Sequence, residues 1–406
     1  MTNFGTLLSY EQPTKYIVND TNYKPTYKTP VLTAGKSFIL GYTNETENIF
    51  DDLPVIIFDD FTTESKFVDF PFKVKSSAMK ILHINQDLVL PKYAFYLMQA
   101  TEIDHENHQR YWISTYSQEI ISLPPLSEQI KIIEAVENLF DLTHSVETNS
   151  KNLKNSIKST KSKILDLAIR GKLVPQDPND EPASVLLDRI REEKEELIKQ
   201  GKIKRDKKES VIFKGDDNSY YQDLPQNWQV STLREVTTPL TLNDGDWILS
   251  ENMTDNGEVK LLQLGSIGNM SYIDKGFKYL TKDTFDKLSC TEIFTGYLII
   301  NRIISDKMCC CIVPDIDGTI ITTVDTCWIA PSETSYNIKF LMYQLASPSF
   351  QSAVLLKATG TTRKRISKNN LIDLHLLLPP LAEQRRIVNA IEALFAQIDK
   401  ISEQIS

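Results

Sequence analysis

The sequence has few cysteines, and their spacing excludes a disulfide-rich protein. There are 5 in 406 residues, an odd number, and three are adjacent: Cys309, Cys310 and Cys311. An even, regularly spaced set would be needed for a disulfide framework. Because neighbouring side chains of a strand point to opposite faces, three adjacent cysteines cannot converge on one metal ion. We therefore expect buried free thiols in a cytoplasmic protein.

Export and membrane signals are also missing. The N-terminal residues contain no basic region followed by an apolar core, so no signal peptide is expected. No apolar run approaches the roughly 18 residues that a membrane-spanning helix needs. The sequence thus indicates a protein of the cytoplasm without a membrane partner.

Glycine is scarce as well, with 14 residues, and no glycine-rich loop is present. Thr33–Ser37 resembles the end of a phosphate-binding loop, but the first glycine of that motif would fall on Pro30. Its backbone amides could not cradle a phosphate without that glycine, so ATP binding is excluded. There is no Asn/Asp-Pro-Pro-aromatic tetrapeptide of an adenine methyltransferase, no HExxH zinc motif and no evident nucleophile–histidine set. We expect no catalytic centre, no metal and no cofactor in this chain.

The net charge of −9 is unusual for a protein that binds nucleic acid by itself. The cations are unevenly distributed, however. Residues 151–210 hold 16 Lys and Arg against 11 Asp and Glu, and 202–208 is a basic run. Arg363–Lys368 contains four cations and no acid. Cations gathered on one surface, or a partner that supplies phosphate contacts, would both reconcile DNA binding with this charge.

One stretch of eighteen residues occurs twice, as Leu123–Phe140 and Leu378–Phe395, at an offset of 255 residues with eleven identities. Each copy begins LPPLxEQ. A Pro-Pro pair cannot lie inside a helix, and the glutamate that follows suits a helical first turn. Apolar residues then recur in steps of three and four, which predicts a heptad seam in each helix. The predicted seam residues are Ile132, Val136, Leu139, Val146, Leu153, Ile157 and Ile164 in the first helix, and Ile387, Ile391, Leu394, Ile398 and Ile401 in the second.

Together with Lys163–Pro175 after the first helix and Leu224–Trp228 before the second half, these motifs closely resemble the specificity (S) subunit of type I restriction–modification systems. The resemblance covers essentially the whole chain. It implies an α+β fold with two pseudo-symmetric target-recognition domains, separated by two long helices that form an antiparallel coiled coil. It also implies a non-catalytic DNA-binding subunit that recognises a bipartite, asymmetric site for host defence.

By the same resemblance, the expected partners are double-stranded DNA, methyltransferase (M) subunits, two in the family, and restriction (R) subunits. Those partners use S-adenosylmethionine, ATP and Mg²⁺ for adenine methylation and cleavage in a bacterial or archaeal cytoplasm. The second helix is shorter than is common in the family, because the sequence ends at Ser406 without a second copy of the exit motif.

These motifs divide the chain into four predicted segments. They are recognition domain 1 (1–122), a helical region with a charged helix and linker (123–223), recognition domain 2 (224–377) and a short second helical region (378–406). Strand patterns near 29–33, 54–58 and 78–82 with a helix at 92–98 are loosely repeated by strands at 297–301 and 326–330 with a helix at 338–343. We therefore expect the two recognition domains to share one fold.

Candidate DNA-binding residues are those able to reach base edges or phosphates. The strongest group surrounds the cationic stretch: Thr361, Thr362, Arg363, Lys364, Arg365 and Lys368. At the 255-residue offset, Arg110 corresponds to Arg365. Weaker candidates in predicted loops or after strands are Lys36, Ser37, Lys73, Lys75, Ser76, Asn301 and Arg302.

Two other functions stay open. A helical scaffold or oligomerisation protein without DNA specificity is favoured by the acidic net charge. A metal-dependent nuclease is suggested by Asp59 and Asp60 followed by Glu64 and Lys66, because carboxylates near a lysine bind metal and poise water in nucleases. The bland interpretation is that Asp59 and Asp60 form a turn after a buried strand.

Overall fold

A computed structural model describes residues 1–35, 37–102, 110–205 and 224–404. The chain forms two compact units, Met1–Asn149 and Ser150–Ser406. The four-segment division made from the sequence stays a prediction.

The described part of unit 1 contains two larger sheets and one two-stranded sheet, formed by its first and last strands. The strands are β1 Thr2–Asn3, β2 Leu8–Glu11, β3 Thr29–Leu32, β4 Ile39–Thr43, β5 Val55–Asp59, β6 Ser65–Val68, β7 Lys73–Val74, β8 Met79–Ile84 and β9 Ile120–Ile121. One of the larger sheets is antiparallel in the order β2-β8-β5-β6, and the other has the order β4-β3-β7, with β3–β7 parallel. The helices are α1 Phe4–Leu7, α2 Pro91–Ala100, α3 Tyr111–Ser114 and the long α4 Leu126–Ile169, which continues into unit 2.

Unit 2 repeats this topology. Its strands are β10 Gln229–Thr232, β11 Leu242–Asp244, β12 Val259–Leu262, β13 Phe277–Leu280, β14 Leu298–Asn301, β15 Ile303–Ile304, β16 Cys310–Ile312, β17 Thr319–Ile321, β18 Thr326–Ile329, β19 Lys364–Arg365 and β20 His375–Leu378. The four-stranded sheet has the order β11-β18-β14-β16, and the three-stranded sheet β13-β12-β17 again holds one parallel pair, β12–β17. The helices are α5 Ala183–Lys199, α6 Leu233–Val236, α7 Lys282–Leu288, α8 Ile338–Ala346, α9 Pro348–Lys357, α10 Lys368–Ile372 and α11 Leu381–Glu403. The predicted α+β class with two pseudo-symmetric domains is confirmed.

The adjacent cysteines occupy β16 and the residue before it. Cys310 and Cys311 are buried in two different apolar clusters, as the alternation of strand side chains requires. Burial raises the pKa of the Cys311 thiol to about 12. The expectation of buried free thiols is confirmed for these two and for Cys327.

The duplicated motif performs the same structural task in each unit. In unit 1 the Gln129 side chain is fully buried, donates to Pro124 O at 2.9 Å and accepts from Leu90 N at 2.8 Å. In unit 2 the Gln384 side chain is fully buried, donates to Pro379 O at 3.0 Å and accepts from Asn337 N at 2.7 Å. Leu90 and Asn337 are the N-cap residues of α2 and α8. Each glutamine therefore connects the start of a long helix, α4 or α11, to the N-terminus of an earlier helix of its own domain, α2 or α8.

The other signature motifs meet at Glu383 in unit 2. Its buried carboxylate accepts from Trp228 Nε1 at 2.9 Å and from Gln176 Nε2 at 2.6 Å. Gly171, within the exit motif Lys163–Pro175 and just after α4, has φ +65°, and a Cβ there would lie 2.4 Å from Pro225 Cγ. Only glycine fits this backbone conformation and this close approach. Segments that are far apart in the sequence thus form one junction.

The C-terminal part of α4 packs against α11 in the antiparallel sense. Ile164, Ile387 and Ile391 are buried in one cluster, with Leu394 and Ile398 half-buried against it. Lys161 Nζ lies 2.5 Å from Asp399 Oδ1, near the end of α11. The predicted antiparallel pairing is therefore present between these parts of α4 and α11.

Several predicted seam residues lie outside this pairing. Leu139, Val146 and Ile401 are at least half exposed, so they are not buried within their own units, and their assignment to a contact between helices or subunits stays a prediction. Ile132 is half-buried against the core of unit 1, and Val136, Leu153 and Ile157 are also half-buried.

Glu383 gives the first testable prediction. Burial raises the pKa of the Glu383 carboxyl, and the hydrogen bonds from Trp228 and Gln176 oppose that shift only in part. The folded-state pKa therefore lies above the unfolded value of about 4.3. The protonated carboxyl stabilises unit 2 at low pH, and this stabilisation is lost as the pH rises through the folded-state pKa. The wild type should therefore lose stability relative to Glu383→Gln as the pH rises from the unfolded value of about 4.3 through the raised folded-state pKa, measured by denaturant unfolding. Glu128→Gln removes the exposed glutamate of the first motif copy and serves as the matched control. Parallel stability curves for wild type and Glu383→Gln would contradict this prediction.

Candidate nucleic-acid interface

The cationic stretch of unit 2 is a tight loop between α9 and α10. Its strand β19 pairs with β15, matching Ile303 with Arg365 and Ile304 with Lys364. Thr359 and Arg365 form a further bridge. Gly360 adopts φ +103°, and a Cβ there would lie 2.5 Å from Arg363 O, so the turn requires glycine. The loop is therefore fixed at its base, with Thr361 and Thr362 exposed at its tip.

Two carboxylates organise the cations around this loop. Asp325 lies 3.5 Å from Arg363 Nη2 and 3.2 Å from Arg365 Nη2. Asp244 lies 3.0 Å from Arg302 Nη2 and 3.3 Å from Lys368 Nζ. Four cations thus share two negative charges, and the exposed Lys364 adds another positive charge. Within the described residues of this loop and its contacts, positive charge is in excess although the chain is acidic.

A small cleft continues this surface beyond Lys368. It encloses about 230 Å³ and includes Lys194, Lys204, Arg234 and Lys368 in its lining. Lys194 Nζ donates to Arg234 O at 2.6 Å, and Arg234 Nε pairs with Asp373 Oδ1 at 2.5 Å. Lys194 and Arg234 were missed by the sequence interpretation. The basic run at 202–208 was the signal that could have found the cleft, although residues 206–208 lie outside the described part of the chain.

Arg302 was wrongly predicted as a DNA contact. It is only 4% exposed, and its guanidinium donates to Val324 O and Ile366 O besides pairing with Asp244. A buried guanidinium must be paired, so Arg302 has a structural role. Its neighbour Asn301 is half-buried, and its side-chain oxygen accepts from Ile303 N at 2.9 Å, which shapes the turn between β14 and β15.

In unit 1, Lys73 was also wrongly predicted as a loop residue that binds DNA. It belongs to β7, is 1% exposed, and its ammonium lies 3.0 Å from Glu45 Oε2 and donates to Glu47 O at 2.9 Å. Ser37, Lys75 and Ser76 are exposed, and Lys36 lies outside the described residues.

Arg110 is exposed at the place in unit 1 that corresponds to Arg365. The next residue, Tyr111, donates its amide to Asp60 O at 2.9 Å, just after β5. In unit 2, Ile366 donates its amide to Arg302 O at 3.1 Å, just after β14. These two donors are again 255 residues apart. The offset therefore places Arg110 and Arg365 equivalently, each beside the end of the central strand of its unit.

The carboxylates of the nuclease hypothesis have other tasks. Asp60 Oδ2 lies 3.1 Å from Lys80 Nζ in a buried pair, and its Oδ1 accepts from Trp112 N at 2.9 Å. Asp59 Oδ1 accepts from the amides of Phe61 and Thr62. Asp59 therefore forms a turn after the buried strand, which was the alternative to a nuclease site. No cluster of three or more His, Cys, Asp or Glu suited to a metal ion occurs in the described ranges. Those ranges also contain no helix that is both long and apolar enough to cross a bilayer.

Comparison with known proteins finds relatives among the type I restriction enzyme specificity subunits. Residues 225–406 match the family described as the type I restriction modification DNA specificity domain. The chain is 47% identical over 151 residues to the EcoR124I/EcoR124II specificity subunit of Escherichia coli, which covers 34% of this chain and 37% of that protein. It is 30% identical over 262 residues to the Escherichia coli EcoEI specificity subunit, covering 61% and 41% respectively. The chain thus spans about two fifths of the length of these curated relatives.

Solved structures support the fold. The HsdS subunit from Thermoanaerobacter tengcongensis matches with a TM-score of 0.50 at 15% identity, over 100% of this chain and 90% of that one. A chain from a structure of a type I restriction–modification system matches with a TM-score of 0.55 at 14% identity, over 98% and 93%. These structures share the fold of the chain, and the resemblance of the chain to the specificity subunits of type I restriction–modification systems is confirmed by the family match of residues 225–406 and by the named relatives.

Proposed function

We propose that this chain is a non-catalytic subunit that recognises a bipartite, asymmetric DNA site for a type I restriction–modification complex. The observation that carries the proposal is the cationic loop of unit 2, held on a domain whose topology unit 1 repeats. Two domains of one fold with different exposed side chains suit the recognition of two different half-sites. Phosphate contacts would position the duplex, and base contacts would select it.

The proposal includes partners that do the chemistry. Methyltransferase subunits, two by analogy with the family, and restriction subunits would bind this chain in the cytoplasm. S-adenosylmethionine, ATP and Mg²⁺ would act on those subunits. Co-expression with the cognate methyltransferase, followed by mapping of methylated adenines, identifies the site and tests its two-part form. A single continuous site, or methylation without sequence preference, would contradict the proposal.

The competing candidate is a scaffold protein without DNA specificity. It is favoured by apolar side chains of α4 that are exposed in unit 1, namely Leu139, Phe140, Leu142 and Val146. Such residues suit a protein partner. A scaffold would bind the methyltransferase but would not distinguish the mapped duplex from a scrambled duplex of the same length.

Salt dependence tests the role of the loop. Lys364→Gln is expected to weaken binding to mapped and scrambled duplexes alike and to reduce the slope of log affinity against log salt by about 1, because one phosphate contact is lost. The measurement is fluorescence anisotropy of a labelled duplex over a series of potassium chloride concentrations. Lys287→Gln, which removes an exposed lysine of α7 in the same unit, is the matched control. Equal slopes for both variants and the wild type would place the duplex elsewhere.

A further inference from the structure

One tryptophan is far more exposed than the others. Trp112, Trp228 and Trp328 are at most 5% exposed, whereas Trp247 is 69% exposed. Tryptophan carries a large apolar surface and is highly buried on average. Leu249, two residues further on, is also 47% exposed. The segment after β11 therefore offers an aromatic ring and an aliphatic side chain to a ligand.

The backbone that carries Trp247 is firmly held. Asp246 N donates to Thr322 O at 2.8 Å, and Val324 N donates to Asp246 O at 2.8 Å. A Cβ on Gly245 would lie 2.3 Å from Thr323 O, so only glycine permits this approach. Asp246 Oδ2 also accepts from Thr291 N at 2.8 Å. The exposed indole is therefore carried by a backbone segment that hydrogen bonds hold in place.

The same hydrogen bonds connect the backbone next to Trp247 to the cationic loop. Val324, which binds Asp246, also accepts from Arg365 Nη2 through its carbonyl at 3.1 Å. The next residue, Asp325, pairs with Arg363 and Arg365. Asp244, which is three residues before Trp247 in the sequence, pairs with Lys368. The backbone next to Trp247 is thus hydrogen-bonded to the segment whose carboxylate, Asp325, pairs with cations of the loop.

This neighbourhood favours nucleic acid over a protein partner. The centre of a protein interface is depleted of charged residues, whereas the backbone that carries Trp247 is bonded to Val324, whose carbonyl accepts from Arg365 of the cationic loop. Proteins that bend or grip DNA combine phosphate-binding cations with an apolar wedge against the bases, and aromatic rings stack on bases of any identity.

We propose that Trp247 contacts the bases of the DNA half-site bound by unit 2, with its indole packed against a base face while the neighbouring cations hold the phosphates. This inference rests on the proposed DNA-binding function and adds a base-contacting residue to it. Trp247 was not among the candidates chosen from the sequence.

Intrinsic fluorescence of the full chain tests the inference directly, because the other three tryptophans are buried. Addition of the mapped duplex is expected to quench the wild-type emission and to protect it from acrylamide. In Trp247→Phe this response should be absent, while the ring still contacts the bases and affinity stays near that of the wild type. Trp247→Ala should bind the duplex roughly tenfold more weakly. Its salt slope should be unchanged, because an indole carries no charge.

Leu240→Ala, which removes another exposed apolar side chain of unit 2 (54% exposed), is the matched control and should bind as the wild type does. Thermal unfolding of each variant checks that the fold is retained. If the wild type binds DNA with the loop-dependent salt slope, but the emission does not change and Trp247→Ala binds as tightly as the wild type, this inference fails while the proposed function stands. If no duplex is bound at all, the proposed function fails with it. Emission that responds to the methyltransferase subunit and not to DNA would overturn the inference in favour of a protein contact.

Discussion

Replacement of Lys80 by methionine is expected to lower the free energy of unfolding of unit 1 by about 3–5 kcal/mol. The Lys80 and Asp60 side chains are 2% and 5% exposed, with Nζ and Oδ2 3.1 Å apart. The Lys80 ammonium also lies 4.5 Å from the ring centroid of Tyr10. Without Lys80, the buried Asp60 carboxylate keeps the Trp112 amide but loses its counter-ion. Denaturant unfolding of the full chain, followed by a probe in unit 1, measures the loss.

The double variant Lys80→Met/Asp60→Asn separates charge from packing. Its amide oxygen can still accept from Trp112 N, and no uncompensated charge stays buried, so it should be more stable than Lys80→Met alone. Lys66→Met is the matched control, because Lys66 lies 3.4 Å from Glu64 in a half-exposed pair and such pairs contribute at most about 1 kcal/mol. A single variant no less stable than the double variant would show that the buried charge is tolerated.

Unit 2 has an ion pair of reversed polarity at the equivalent place. Asp60 directly follows β5, and Arg302 directly follows β14. Asp60 is paired with Lys80 of β8, whereas Arg302 is paired with Asp244 of β11. The two domains therefore share the strand framework and the backbone bond after the central strand, but they stabilise this point with different side chains. Exposed residues can differ more freely still, as two different half-sites would require.

Local patterns were enough to predict the repeat, the long helices and the main strands. The LPPLxEQ copies begin α4 and α11, and the predicted strand at 54–58 is β5. These features depend on residues close together in the chain, and proline, glycine and apolar spacing report them directly.

Burial of polar groups could not be predicted in the same way. Lys73 is neutralised by Glu45, and Arg302 by Asp244, and neither partner lies nearby in the sequence. Both cations therefore resembled surface residues. The exposure of Trp247 could not be predicted either, because an apolar residue near a strand is expected to be in the core. Candidate sites are thus harder to predict than elements, since they depend on which distant segments meet.

The acidic net charge no longer argues against DNA binding. Among the described residues, the carboxylates paired with the loop cations are Asp244 and Asp325, and Lys194, Lys204 and Arg234 line the adjacent cleft. Association with a duplex depends on the local potential of the contacting surface as well as on the total charge. The cationic loop therefore suits phosphate contacts within an acidic chain.

The paired glutamines allow one substitution to be made in two equivalent places. Gln129→Ala removes donors to Leu88 O and Pro124 O and the acceptor for Leu90 N. Gln384→Ala removes the donor to Pro379 O and the acceptor for Asn337 N. Each leaves buried backbone groups unsatisfied, at about 1–3 kcal/mol per group. We expect each variant to lose about 2–4 kcal/mol of stability, with Gln129→Ala affecting unit 1 and Gln384→Ala affecting unit 2.

Hydrogen exchange followed by mass spectrometry measures both variants, because peptides of each unit report the opening of that unit. Gln129→Ala should accelerate exchange around α2 and the start of α4, and Gln384→Ala around α8 and the start of α11. The conservative variants Gln129→Glu and Gln384→Glu keep the acceptor oxygen but lose the donor to the proline carbonyl, so they should also destabilise their units. Gln118→Ala, at a glutamine near the first motif that donates to Ile113 O from the surface, should leave both units unchanged. Equal acceleration throughout the chain in either alanine variant would show that the two motif copies do not act separately on their own domains.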